Sequence, residues 1–222
     1  MSEQYNSQYG QDKFFDEEIF RKKEHGFFLD IGAHDGVSLS NTYFFEKFRN
    51  WRGICVEPLP HIFERLRINR NCIKIQGCIA NFNGSSKFIF VDGGEGEFPE
   101  MLSGLSDFYD PKHYQRVQHG VNQHNGSLKE LQVQCYQIND ILTRYKVSHI
   151  DYCSIDTEGS ELQILKSIDF KSHVIEAFSV ENNFGERKIR LFMKSKNYEL
   201  IKHLKGDDFY VLRKKKYFWK FW

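Results

Sequence analysis

Two hydrophobic periods alternate along most of this 222-residue chain, and that alternation leaves few folds open. Short apolar runs bounded by glycine or acid read as buried strands. Stretches whose apolar residues recur every three to four positions read as helices. Strands are predicted at Phe27–Ile31, Gly53–Glu57, Cys72–Ala80, Lys87–Val91, Gln132–Gln137, Ile150–Ile155, Ala177–Val180, Tyr198–His203 and Asp208–Arg213. Helices are predicted at Gln8–Lys23, Thr42–Phe48, His61–Asn69, Ile138–Arg144, Glu161–Ser167 and Glu186–Lys196. Strand–helix alternation of this kind requires a mainly parallel sheet with helices on both faces. The expected fold is a three-layer, Rossmann-like α/β sheet of about seven strands. Its last strand should be antiparallel, because the link before it is too short for a crossover. Residues 1–222 read as one domain, with 1–25 a helical lid and 92–127 a loop insertion holding one helical turn at most. Long loops in compact domains commonly carry function, so this one is expected to shape a substrate pocket.

Charge and cysteine use narrow the class. Lys and Arg total 31 against 30 Asp and Glu, so no net field draws the chain to nucleic acid, and no nucleic-acid partner is expected. The five cysteines form no C-x-x-C pair, which argues for free buried thiols rather than zinc. The 21 phenylalanines imply an aromatic-rich core. The first residues are polar and no run of about 18 apolar residues occurs, so the expected location is cytoplasmic. The tail Arg213–Trp222 is basic and aromatic. It reads as the frayed end of the last strand, with a membrane-surface or partner contact as the alternative.

The first strand ends in Asp30-Ile-Gly-Ala-His-Asp-Gly36. Glycines at such a turn let backbone approach a ligand closely. A second strand ends at Glu57, where an acid accepts hydrogen bonds from a ribose diol. His34 replaces the middle glycine of the dinucleotide fingerprint, and Asp30 and Asp35 bracket the turn. Carboxylates there would repel a pyrophosphate and suit a cationic nucleoside. That speaks for S-adenosylmethionine and against a nicotinamide cofactor.

The strand Ile150–Ile155 leads into Asp156-Thr-Glu158-Gly-Ser-Glu161, and another ends at Glu181-Asn182. Ligands bind beyond the carboxyl ends of such strands, so Asp156 should share a crevice with Gly32 and Glu57. Ser160 and Glu161 have the plainer reading of a helix start. Asp156, Glu181 and Asn182 would make an all-oxygen set for Mg²⁺ or Mn²⁺, able to chelate and activate substrate hydroxyls. The competing reading is a metal-free site. His113 and Glu158 are the candidate general bases, with Asp156 beside them.

Together these segments resemble the FkbM family of methyltransferases. The resemblance runs from Ser7–Phe15 through Gly26–Lys47, Trp51–Pro60, Leu102–Leu105, Asp110–Arg116, Ile150–Leu165 and Ser179–Asn183 to Asp207–Val211. It implies an S-adenosylmethionine-dependent O-methyltransferase with a methyltransferase-type sheet, acting on a hydroxyl of a sugar or other small molecule. By resemblance, Asp30, Gly32, Glu57 and Asp156 surround the methyl donor, and Gln11 and Ser103 approach it. The turn itself adds Gly36 and His34 to the donor site, with His34 either touching substrate or covering the ligand. Two rival activities remain: a methyltransferase acting on protein or nucleic acid, and a nucleoside-binding module without catalysis. A homodimer is left open as the assembly.

Overall fold

The computed structural model describes residues 4–92, 98–108 and 111–213. A seven-stranded sheet has the order β10-β11-β9-β8-β1-β2-β3. Its strands are β1 (Phe27–Ile31), β2 (Arg52–Glu57), β3 (Ile73–Gln76), β8 (His149–Ile155), β9 (Val174–Glu181), β10 (Tyr198–Leu204) and β11 (Asp207–Leu212). All neighbours pair in parallel except β11, which runs antiparallel to both β9 and β10. The predicted Rossmann-like α/β sheet with an antiparallel last strand is therefore the observed one.

The two-residue period of the strands sorts their side chains between two cores. Leu29, Ile54, Cys153 and Phe178 face one side. There they pack with Ile141 and Leu142 of α5 (Ile138–Arg144), Ile164 and Leu165 of α6 (Glu161–Ser167) and Met193 of α7 (Arg187–Ser195). Their chain neighbours Phe28, Cys55, Tyr152 and Ala177 face the other side. They meet Phe15, Phe44 and Phe45 of α2 (Tyr43–Phe48), and Leu66 of α3 (Pro60–Asn69). Buried on both faces, the central strands read as continuous apolar runs, which is why the sequence marks them clearly.

Three predicted elements change. The run Cys72–Ala80 divides at Gly77 into β3 and β4 (Cys78–Ala80), which belong to different sheets. Gly77 has φ 151°, and a Cβ there would meet the Gln134 carbonyl oxygen at 2.6 Å. Beyond the bend, β4, β7 (Ser127–Gln137), β5 (Gly84–Asp92) and β6 (Gly104–Leu105) form a second, four-stranded sheet in the order β4-β7-β5-β6. Within 92–127, read as loop, lies a thirteen-residue helix, α4 (Pro111–Gln123). Its Val117 is buried against Val91 and Leu102, with Val121 beside them. The N-terminal stretch forms one turn of helix, α1 (Gln11–Phe14), continued by a π-turn over Phe15–Ile19. No helix among the described residues is long and apolar enough to cross a membrane. Of the tail Arg213–Trp222, all but Arg213 lies outside the described residues.

Candidate active site

Strand order reverses between β1 and β8, and the chain opens there into a pocket of about 300 Å³. This is where an open α/β sheet holds its ligand. The loops after β1 and β8 nearly touch. A Cβ on Gly32, whose φ is 86°, would sit 1.8 Å from the Asp156 carbonyl oxygen. Only glycine allows this approach.

The neighbouring strand supplies Glu57. One of its carboxylate oxygens accepts the His34 N–H at 3.1 Å and the other the Leu59 N–H at 2.9 Å. Burial, only partly offset by these donors and by the His34 ring, pushes Glu57 up to about 7. Asp30 leaves β1 on the Phe28 side and accepts the Thr42 hydroxyl at 2.6 Å. Burial raises its pKa too, against the pull of the Arg70 guanidinium. Gln11 reaches over from the N-terminal segment, donating to Asp207 at 2.7 Å. Ser103 Oγ accepts the Val91 N–H at 2.9 Å. Both ring nitrogens of His34 are buried without a hydrogen bond, Nδ1 lying 3.7 Å from Asp35 Oδ1. Gln11, Asp30, Gly32, His34, Glu57, Ser103 and Asp156 thus all line one pocket.

At its other end Asp156, Glu158 and Glu181 bring carboxylate oxygens within 4.8 Å of one another. Asp156 opens onto the pocket. The protein packed around it, and then repulsion from Asp207 and Glu161, push it up to about 7. Burial and the neighbouring carboxylates raise Glu158 and Glu181 well above the usual range. Glu158 also sits at φ 56°, strained for a residue with a side chain. Arg116 Nη1, from α4, lies 3.2 Å from Glu158 Oε2 and 3.9 Å from Glu181 Oε1.

Four predicted residues take other places. Gly36 does not line the pocket: a Cβ there would meet Arg70 and Leu66 side chains at 2.6 Å, so it is a packing glycine. Asp35 spends its carboxylate on the Val37 and Ser38 N–H groups and the Ser38 hydroxyl. Burial alone would raise it, but the His34 ring and these donors hold it well below the usual range. Asn182 follows Glu181 by one residue, and successive side chains of a strand point oppositely. Its amide donates to Asp208 at 2.7 Å while its oxygen accepts the Glu186 N–H at 2.5 Å. The predicted metal set of Asp156, Glu181 and Asn182 is therefore not assembled, and Glu158 stands where Asn182 was expected. His113 is 2 % exposed and lies behind Glu158 rather than in the pocket wall. Its Nε2 is 3.2 Å from the Leu102 carbonyl oxygen, an acceptor, which assigns that nitrogen a hydrogen. Nδ1 then lies 3.2 Å from Glu158 Oε2.

Sequence reading missed Glu100, Arg116 and Asp207, which complete the wall. Asp207 sits at the start of the antiparallel strand, a position that no strand-end rule flags. Arg116 shared its segment with the predicted loop. Glu161 has the plainer role considered for it: it accepts Thr157 and Gly159 N–H groups and closes the loop before α6. Altogether Asp30, Glu57, Glu100, Asp156, Glu158, Glu181 and Asp207 face the pocket, against Arg116 as the sole Lys or Arg among the described lining residues.

A seven-stranded sheet with one antiparallel strand, and a pocket across its switch point, define a Rossmann-like methyltransferase fold. The sequence profile of the Methyltransferase FkbM domain matches residues 30–200. The chain belongs to the FkbM methyltransferase family. It is similar in fold to the crystal structure of methyltransferase FkbM from Methylobacillus flagellatus KT. The TM-score is 0.53 and the sequence identity 14%, over 93% of this chain and 48% of that one. This chain thus spans about half the length of that protein. No curated protein matches it.

Proposed function

We propose that the protein is an S-adenosylmethionine-dependent O-methyltransferase acting on a hydroxyl of a sugar or similar small molecule. The observation that carries this reading is the acidic lining of the pocket: seven Asp or Glu side chains and a single arginine around the Gly32 turn. A dinucleotide brings phosphates, which this wall repels. A sulfonium nucleoside brings positive charge, which it attracts. Glu57 and Asp30, at the ends of β2 and β1, would hold the ribose and the amino-acid end of the donor. The apolar side chains of Leu59, Ile79, Leu102 and Leu105 beside them suit a flat base.

When bound, the donor supplies the methyl group: a carbon–oxygen bond forms as the carbon–sulfur bond breaks and sulfur keeps its electron pair. This chain's residues align the partners, which is worth much of the barrier. Glu158 is the base that faces the pocket and takes the hydroxyl proton. Its raised pKa makes the carboxylate a stronger base than an exposed one. His113 lies behind it, Nδ1 3.2 Å from its Oε2. A divalent ion would find three carboxylates here but also Arg116, so no step is assigned to a metal.

The test is a methyl-transfer assay over a panel of sugars and small polyols, with calorimetry of S-adenosylhomocysteine alongside. Binding plus transfer to an oxygen supports the proposal. Failure to bind S-adenosylhomocysteine removes the donor. Transfer only to a protein or nucleic acid removes the acceptor class.

A further inference from the structure

Three carboxylates within 4.8 Å of one another are costly unless something offsets their charge. In many proteins that something is a divalent cation. Here the space is approached from another part of the chain. Asp156 and Glu158 follow β8, and Glu181 ends β9, but Arg116 comes from α4, which lies between β6 and β7 in sequence. Its Nη1 lies 3.2 Å from Glu158 Oε2 and 3.9 Å from Glu181 Oε1. A guanidinium is charged at every accessible pH and donates in a fixed fork, so one group can serve two carboxylates.

We propose that Arg116 is the built-in counter-ion of the acceptor end, so that the carboxylate trio works without a divalent metal. The inference deepens the proposed function and rests on it for the identity of the reaction, while the charge balance stands on the geometry alone. A divalent ion coordinated by the trio would need oxygens at about 2.0–2.6 Å, leaving it about 4–5 Å from the guanidinium. Repulsion at that distance lowers its affinity at least about tenfold even at the dielectric of water, and by far more at the lower effective dielectric of a protein site. The arrangement also ties the site to α4. The Arg116 side chain, 37% exposed, also lines the pocket, within reach of an acceptor bound beside Glu158. The acceptor end is therefore complete only when α4 is seated.

The expected consequence is a gain of metal binding on removing the arginine. Mn²⁺ titrations followed by electron paramagnetic resonance would compare the full wild-type chain with Arg116→Met and Arg116→Lys, at about pH 8 so that metal can displace protons. The wild type and Arg116→Lys should leave the free-ion signal unchanged at concentrations where Arg116→Met takes up one ion per chain. Adding Asp156→Asn to Arg116→Met should abolish that uptake. Wild-type protein that binds Mn²⁺ as tightly as Arg116→Met, through Asp156, overturns the proposal. So does a folded Arg116→Met protein that takes up no ion, since protons alone would then balance the trio. Should the methionine variant fold poorly, Arg116→Gln gives the same reading, and the wild-type titration decides one arm by itself. Calorimetry with S-adenosylhomocysteine runs separately: lack of binding would defeat the donor assignment and leave the Mn²⁺ result standing.

Discussion

Glu57 is held by two backbone donors yet has a pKa pushed up to about 7 from 4.5 by burial. Because the folded value is the higher one, its contribution to stability is fully present below about pH 4.5. It is lost as pH rises through about 7, at a cost on the order of 3 kcal/mol once ionised. A ribose diol donates to a carboxylate, so ligand binding selects the ionised form and releases protons. Affinity for S-adenosylhomocysteine should therefore rise between about pH 6 and pH 8. Calorimetry in buffers of different ionisation enthalpy reads the released proton directly. Glu57→Gln should flatten the profile to the share left by Asp156, and Glu57→Ala should weaken binding at least about tenfold. Affinity that ignores pH would take Glu57 out of the site. What the sequence shows at this scale follows strand ends: Asp30, Glu57, Asp156 and Glu181 each sit at or just beyond one. It fails one residue later, at Asn182, where strand alternation turns the side chain to Asp208. It fails again at His113, whose burial depends on α4 packing against Leu102.

Among the elements, α4 is the instructive one. Its apolar Tyr114, Val117 and Val121 are spaced as on one helix face, but the glycines and histidines around them give the composition of a loop, and the sequence reads as one. Gly120, one turn from the helix end, packs close to Leu102: a Cβ there would meet Leu102 Cδ1 at 3.3 Å. The bend at Gly77 is equally a tertiary matter, since the approach of β7 requires it. Since α4 carries both Arg116 and His113, hydrogen exchange in 111–123 should slow when a turned-over acceptor is added to the S-adenosylhomocysteine complex. Protection confined to other elements would disconnect this helix from the acceptor. The turn after β1 is far less forgiving. In Gly32→Ala the new methyl would collide with the Asp156 carbonyl oxygen at 1.8 Å. That backbone oxygen cannot swing aside as a side chain could. S-adenosylhomocysteine binding should be lost in calorimetry, with a fall in thermal midpoint. Wild-type affinity in that variant would mean the two loops are not fixed against each other.

At the scale of the whole molecule, the N-terminal segment divides into two parts with different tasks. Residues 1–25 read from sequence as a lid, and the first part lies beside the pocket. Ser7 forms a bridge with Leu39, and Gln11 lies in the pocket wall. The second part is core. Phe15 is 0 % exposed and its ring lies 4.5 Å from that of Tyr152 on β8 and 4.9 Å from that of Phe209 on β11. Next to it Asp16 holds the buried Arg49 guanidinium with two hydrogen bonds of 2.8 Å. An ion pair taken out of water in this way is costly to break, because the surviving charge keeps its desolvation penalty without its partner. Asp16→Ala should therefore destabilise the protein by about 3–5 kcal/mol, and Phe15→Ala by a similar amount through the cavity it leaves. Denaturant unfolding checks both. Removing residues 1–10 should leave cooperative unfolding in place while weakening S-adenosylhomocysteine binding, since Gln11 loses the chain that seats it. Removing residues 1–25 should abolish the cooperative transition altogether, because Arg49 is then buried unpaired and the aromatic cluster loses Phe14, Phe15 and Phe20. If that longer deletion unfolds at the wild-type midpoint, the whole segment is a lid after all and the aromatic core closes without it.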